Sequence, residues 1–449
     1  MPFYNLTPLP VPANFNDGLP NKINDNRITV GWVGTTNAAL WNKAAFQLLN
    51  LPGQRSFASD INSAGHIVGS VDSKPFFLDF NSGAVTILKG PYGGATNGQA
   101  NGINDAGEIV GEWSINIYSQ DPMYWKTKDS NPVNCFDGLA GNLKIGYRGY
   151  GKAINNQGDV IGVRNRPGTI ASPSIHQLFT WDKINQQLKV FLDPNFKGLP
   201  QSNAESINDL PSPQFVGNFV NIYLGSTNNL HPFIYDTSTA SVQDLAIPGE
   251  AGTAYDINNN GDAVGGVNLS AVLWIMNGSV RVDLNHPTIS DAQTKGWHLD
   301  EAFSLNNNGD IVGTGHVNGD SRRLPWLLTP LHTVKVKNFF PFSVVPMDHL
   351  LPQSLWPGQW YDAPPPKGWP ENLPFPIPAP NPFQLVGNAY THLTNLLASK
   401  KIVKISGEIS DISTRKGYQE IATLAMDKEM EKLRKLLIDS ASGSFRNEQ

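Results

Sequence analysis

Apolar residues along the chain fall in short runs separated by clusters of Asn, Gly, Asp and Ser, a spacing that predicts strands joined by tight turns. Between Ala58 and Leu88 the pattern is complete. Ala58 to Asn62 reads as a first strand, Asn62-Ser63-Ala64-Gly65 as a turn whose Asn and Gly tolerate positive φ, and His66 to Val71 as a second strand. Pro75 to Leu78 supplies a third strand and Val85 to Leu88 a fourth. Gly69, inside the second strand, marks a point where another backbone or a bulky side chain comes close.

This unit recurs. A small residue, two variable residues, Ile or Leu, Asn, a turn and then a Val-Gly pair or its equivalent can be followed through Ile61-Asn62, Ile103-Asn104, Ile154-Asn155, Ile207-Asn208, Ile257-Asn258 and Leu305-Asn306. A degenerate first copy is Ile23-Asn24, where Arg27 stands in place of the turn glycine. The intervals of 38, 42, 51, 53, 50 and 48 residues suit four-stranded blades. Third strands are visible in Ala39-Leu40-Trp41, Met123-Tyr124-Trp125, Phe179-Thr180-Trp181, Phe233-Ile234-Tyr235, Val272-Leu273-Trp274 and Trp326-Leu327-Leu328. Seven units of four antiparallel strands predict an all-β, seven-bladed β-propeller over 1–336.

These residues resemble the HAF-type repeat, a family of bacterial proteins whose units read Ala-x-x-Ile-Asn-x-x-Gly-x-Val-Val-Gly followed by Ala-Phe-Leu-Trp. The resemblance runs from about Leu19 to Leu331, and six copies keep the small residue, the Ile/Leu-Asn pair and the terminal glycine. It departs at Arg27 and at a two-residue insertion within Leu210 to Gln214. The resemblance implies a propeller-like fold, often in exported proteins, and no common chemistry.

The ends of the repeat region bear on closure. Phe3 to Leu6, followed by Leu9-Pro10, is similar to fourth-strand sequences such as Phe46 to Leu49 with Leu51-Pro52, and is expected to complete the last blade. His332 to Val336 is the rival for that place. Beyond it, 337–382 reads as an extended Pro/Trp-rich strap: Pro352 to Pro382 holds 11 prolines in 31 residues, with Trp356, Trp360, Tyr361 and Trp369. The segment 383–449 has no proline, and Met426, Met430, Leu433 and Leu437 share one helical face. It reads as a helical tail, with weak self-association between chains as one use for the stripe.

Composition narrows the function classes. With 33 basic and 38 acidic residues, net −5, bulk charge does not suit a nucleic-acid partner. A single cysteine, Cys135, excludes an internal disulfide framework and any multi-cysteine metal site. No apolar run is long enough to span a membrane, and the N-terminal residues do not form a secretory signal, so the expectation is a soluble cytoplasmic chain, or one exported by a route the sequence does not reveal. Asp256-Ile257-Asn258-Asn259-Asn260-Gly261 matches the first half of a calcium loop, but Val264 and Val267 occupy its ninth and twelfth positions, so a β-turn is preferred. No metal or cofactor motif stands out, and none is expected.

In an up-and-down blade the connections from strand two to three and from strand four to the next blade share a face, and here they vary most: Glu112 to Asp121, Gly138 to Tyr150, Val163 to Gln177 and Asn285 to Asp300. Aromatic, Arg and His residues on that face suit a small molecule, a carbohydrate or a protein loop. The candidates are Trp113, Tyr147, Arg148, Tyr150, Arg164, Arg166, His176, Trp297, His298, Glu301, His316, Arg322 and Arg323. The first reading is a binding propeller that uses this face and the channel mouth. The alternative is a propeller hydrolase, lyase or cyclase with acid and base groups such as Glu205, Glu301, His298 or His316 around the funnel.

Overall fold

The computed structural model describes residues 4–91, 97–116, 119–137, 148–166, 175–184, 186–190, 202–220, 230–247, 249–275 and 277–331. They form seven four-stranded antiparallel sheets. Blade 1 holds β2 (Gly18–Ile23), β3 (Ile28–Val33), β4 (Asn37–Asn42) and β5 (Ala45–Leu48). Blade 2 holds β6 (Ser56–Ile61) to β9 (Ala84–Ile87), and blade 3 holds β10 (Asn97–Ile103) to β13 (Val133–Asn134). Blades 4, 5 and 6 run from β14 (Arg148–Ile154) to β17 (Gln187–Val190), from β18 (Ser202–Ile207) to β21 (Ser241–Asp244), and from β22 (Gly252–Ile257) to β25 (Val280–Asp283). The last blade has β26 (Trp297–Leu305), β27 (Ile311–Val317) and β28 (Leu324–Pro330), and its outer strand is β1 (Tyr4–Pro8) from the other end of the chain.

That closure is the one expected from the N-terminal sequence. Tyr4 pairs with Pro330 and Pro8 with Trp326, so the edge of β28 is covered and the ring has no open seam. His332 to Val336, the Pro/Trp segment and the helical reading of 383–449 lie outside the described residues. Among the described residues no helix is long and apolar enough to cross a membrane.

Burial follows position within a blade. Second and third strands are covered on both faces and read as apolar runs, whereas β5 and β9 on the outside are largely exposed. The core lies between blades. Val30 and Leu40 of blade 1 pack on Ala58, Ile67 and Phe76 of blade 2, and Leu327 of blade 7 packs with Ile23 and Trp41 of blade 1. Cys135 is fully buried in the contact between blades 3 and 4, where burial holds its thiol far above the usual range.

The recurring Asn is the hub of each turn and also of the joint to the next blade. Its Oδ1 accepts from the backbone N–H four residues on, six in blade 5, where the insertion loops out. Its Nδ2 donates to the carbonyl of the corresponding Asn in the following blade: Asn24 to Asn62, Asn62 to Asn104, Asn104 to Asn155, Asn155 to Asn208, Asn208 to Asn258, Asn258 to Asn306 and Asn306 back to Asn24, at 2.9–3.2 Å. The bonds all run one way round. One residue further on, the backbone N–H groups of Ser63, Asp105, Asn156, Asp209, Asn259 and Asn307 each donate to an Asp or Asn side chain of the next blade at 2.7–2.9 Å. Arg27 adopts the left-handed φ of 64° that glycine has in other copies, and its guanidinium bonds buried Asp310 across the joint between last and first blades.

The strands run further than the sequence reading allowed. β11 extends over Ile109–Asn116, β15 over Asp159–Arg166 and β26 begins at Trp297, so much of the expected loop at Glu112, Val163 and Trp297 is paired ladder. The polar alternation of a two-stranded ribbon resembles loop composition when its partner strand is not known.

Candidate functional site

Every inner strand carries a β-bulge at the same place. In blade 2 the register passes from Ala58 opposite Gly69 to Asp60 opposite Val68, so Ser59 has no partner. The same skip falls on Asn21, Asn101, Lys152, Glu205, Tyr255 and Phe303 in the other six blades. A bulge gives one strand an extra residue and turns its side chain away from the ladder. It also drives a carbonyl toward the neighbouring strand. A Cβ on Gly69 would lie 1.9 Å from the Phe57 carbonyl oxygen, and Gly31, Gly111, Gly162, Gly217, Gly265 and Gly313 meet the equivalent oxygen at 1.9–2.3 Å. The terminal glycine of the repeat is therefore a steric requirement of the bulge.

All seven bulge residues line one cavity of about 320 Å³ in the central channel. They are the first of the two variable residues in the repeat motif. The second variable residue adds Lys22, Asp60, Ala153, Ser206 and Asp256 to the lining.

At the end of the cavity nearest the asparagine ring, Lys22 reaches from blade 1 to blade 6, its Nζ 2.7 and 2.9 Å from the Asp256 carboxylate oxygens. Ser206 and Ser304 donate to the same carboxylate at 2.5 and 2.6 Å, and the Ile257 and Leu305 backbone N–H groups at 3.0 and 3.1 Å. Asp256 thus belongs to the channel. The turn that follows is made by Asn258 and Gly261, with Gly261 N–H donating to the Asn258 carbonyl at 3.0 Å and φ of 77°. Burial opposes the charge on Lys22, yet the Asp256 carboxylate outweighs it and holds the ammonium above its usual range. Asp60 accepts from Ile61 and Ile103 N–H at 2.8 and 2.9 Å. Burial nevertheless pushes its carboxyl up to about 6, against the opposing pull of Lys22.

Higher in the channel Lys152 pairs with Glu205 at 2.8 Å. Burial works against its charge, and Glu205 overcomes it, holding the ammonium up. Asn21 and Asn101 donate to the Ala58 and Gly151 carbonyls at 2.6 and 2.8 Å, and Gln99 to Ser59 at 3.2 Å. Glu112, which accepts from Gln120, is raised by burial. On blades 6 and 7 the Tyr255 and Phe303 rings meet at 5.1 Å and 45°. Tyr255 donates its hydroxyl to Glu301 at 2.9 Å, Glu301 also pairs with Arg323, and the Arg323 guanidinium lies 5.6 Å over the Phe303 ring.

The residues expected from sequence divide accordingly. Glu301 and Arg323 brace the aromatic side of the channel, Glu205 lines it, and Tyr150 shares the field of Lys152, Glu205 and Glu112, with burial raising its hydroxyl. His298 and His316 face each other on β26 and β27, with rings 5.2 Å apart and His316 Nδ1 3.1 Å from Asp300. Trp113 and Trp297 are buried within the blades, as is Arg164 on β15. Arg148 and His176 are half-buried on β14 and β16 (Ile175–Asp182), and Arg322 is exposed and paired with Asp320 in its own turn. Arg166 ends β15, and Tyr147 lies outside the described residues. None of the seven bulge residues is among the loop-face candidates, and only Glu205 is among the funnel acid and base groups, although the variable pair in each repeat marks their position. Among the described residues no group of three or more His, Cys, Asp or Glu side chains is set to hold a metal ion.

The strand pairing defines a seven-bladed β-propeller, and its central channel holds the cavity lined by the bulge residues. No family model matches the chain, and no curated protein matches it in sequence. Among solved structures it is similar to the β-propeller domain of the Trilobed protease from Pyrococcus furiosus (8% identity, TM-score 0.44, 72% of this chain and 97% of that one). It is also similar to an oligogalacturonate lyase from Vibrio parahaemolyticus (10%, 0.44, 73% and 96%) and to a putative TolB from Agrobacterium tumefaciens (9%, 0.39, 64% and 95%). What those proteins bind or cleave is a property of each of them.

Proposed function

We propose that the protein is a binding propeller whose channel takes one small polar molecule in one orientation. A single observation carries this reading: the bulge presents six kinds of side chain from seven positions to one cavity, with only Asn21 and Asn101 alike, while the ladder, turn and asparagine ring behind them repeat almost unchanged. A cavity of about 320 Å³ is at the small end of ligand sites, and its amides, hydroxyl and charged groups offer donors and acceptors on several sides. The repeat is taken to be of the HAF type, which the Ile/Leu-Asn pair and the terminal glycine support. A thermal-shift screen of metabolites on the full chain tests the reading. The expected hit raises the melting temperature and loses its effect in Lys152→Ala and Asn101→Ala. No hit, or a hit indifferent to both variants, overturns it.

A second reading, acid-base catalysis, is favoured by two carboxyl groups that burial raises above their usual range, Asp60 in the cavity lining and Glu112 outside it within the field of Lys152. It requires a substrate whose turnover falls in Asp60→Asn or Glu112→Gln while binding persists.

A further inference from the structure

Tyr255 and Phe303 are the unusual members of the cavity. Large aromatic side chains facing a largely polar cavity forgo burial they would have elsewhere, and both are only half-buried. They are also held in place. Glu301 takes the Tyr255 hydroxyl and pairs with Arg323, whose Nε donates to Thr314 at 2.8 Å and whose guanidinium covers part of Phe303. A ring fixed by such a brace loses little freedom when a ligand lies on it.

In a ring of seven, the blades across from 6 and 7 are 2 to 4, and these present Ser59, Asp60, Gln99, Asn101 and Lys152. One side therefore carries two aromatic rings inclined at 45° to each other, with the Asp256 carboxylate bound to Lys22 beside them, and the facing side offers amide, hydroxyl, carboxyl and ammonium groups. Lys152 is already neutralised by Glu205, and the lining as a whole carries Lys22 and Lys152 against Asp60, Glu205 and Asp256, an excess of one negative charge.

Resting on the reading of the channel as a ligand site, we infer that its ligand class is a neutral pyranose sugar, or the terminal unit of a short oligosaccharide. The C–H face of such a ring lies against Tyr255 and Phe303, and its hydroxyls meet the polar wall. Sugars bearing a carboxylate are disfavoured by the charge of the lining. The size of the cavity suits one ring, with the mouth leaving room for a substituent.

The test is calorimetric titration of the full chain with methyl glycosides of glucose, galactose, mannose and N-acetylglucosamine, and in parallel with glucuronate and galacturonate. At least one neutral glycoside is expected to bind. Phe303→Ala and Tyr255→Ala should each weaken it by about tenfold. Phe303→Leu, which keeps apolar volume without a flat face, guards against loss of fold, and its melting curve is recorded alongside. Binding of the uronates in preference to neutral glycosides overturns the inference, as does neutral binding unchanged by Phe303→Leu. If no sugar binds but another small molecule does in a Lys152-dependent way, the sugar assignment falls and the channel reading stands; if nothing binds, both fall.

Discussion

Gly69 illustrates how little latitude some single positions have. The bulge beside it places the Phe57 carbonyl where a Cβ would go, at 1.9 Å, and a backbone group cannot swing aside as a side chain can. Gly69→Ala is expected to cost about 2–4 kcal/mol in chemical denaturation, through displaced strands and a strained bulge. Leu269 shows the opposite case. It sits at the tip of the hairpin between β23 (Ala263–Val267) and β24 (Ser270–Ile275) with φ of 61° and 74% of its surface exposed. A branched side chain in the left-handed region is strained and gains nothing from burial here, so Leu269→Gly should stabilise the protein by about 1 kcal/mol in the same assay. Asp60 adds a pH term. Its carboxyl in the folded protein titrates at about 6 against an ordinary 3.8, so between those values the native state holds a proton the unfolded chain has released. Its contribution to stability therefore falls as pH rises from about 4 to 6. Asp60→Asn should flatten that part of a melting-temperature profile.

At the scale of the element, much was legible. The Ile/Leu-Asn pair, the turn glycine and the third-strand aromatics located the blades, because strands and tight turns are specified by residues close together in sequence. Even the closing strand was visible in Tyr4 to Leu6, since it carries the composition of a fourth strand. The bulge was not legible as a bulge. It is a shift of register between two strands, and the sequence shows only that two residues between Ala58 and Ile61 are free to vary. Trp113 and Trp297 read as loop residues in the sequence for a related reason: a ribbon extending past the core exposes polar residues at every second position, and only pairing distinguishes it from a loop. Removing residues 1–10 should lower the melting temperature, because β28 loses its partner and the Trp41 indole loses the Pro10 carbonyl it donates to at 2.8 Å. An unchanged melting curve would count against closure by β1. Asn155→Ala removes both the Asp159 turn bond and the link to Asn208, and should cost about 1–3 kcal/mol.

For the molecule as a whole, the bulge separates two kinds of change. The ladder needs the extra residue's backbone and the facing glycine, but it places no demand on the side chain the extra residue carries. Seven positions scattered between Asn21 and Phe303 can therefore be rewritten one at a time, each altering a single sector of one cavity. A library randomised at those seven codons should yield mostly folded proteins, whereas the same library at the seven facing glycines should yield few. The architecture works like a lock with seven interchangeable pins in a fixed barrel, and new specificity is reached by re-keying the pins.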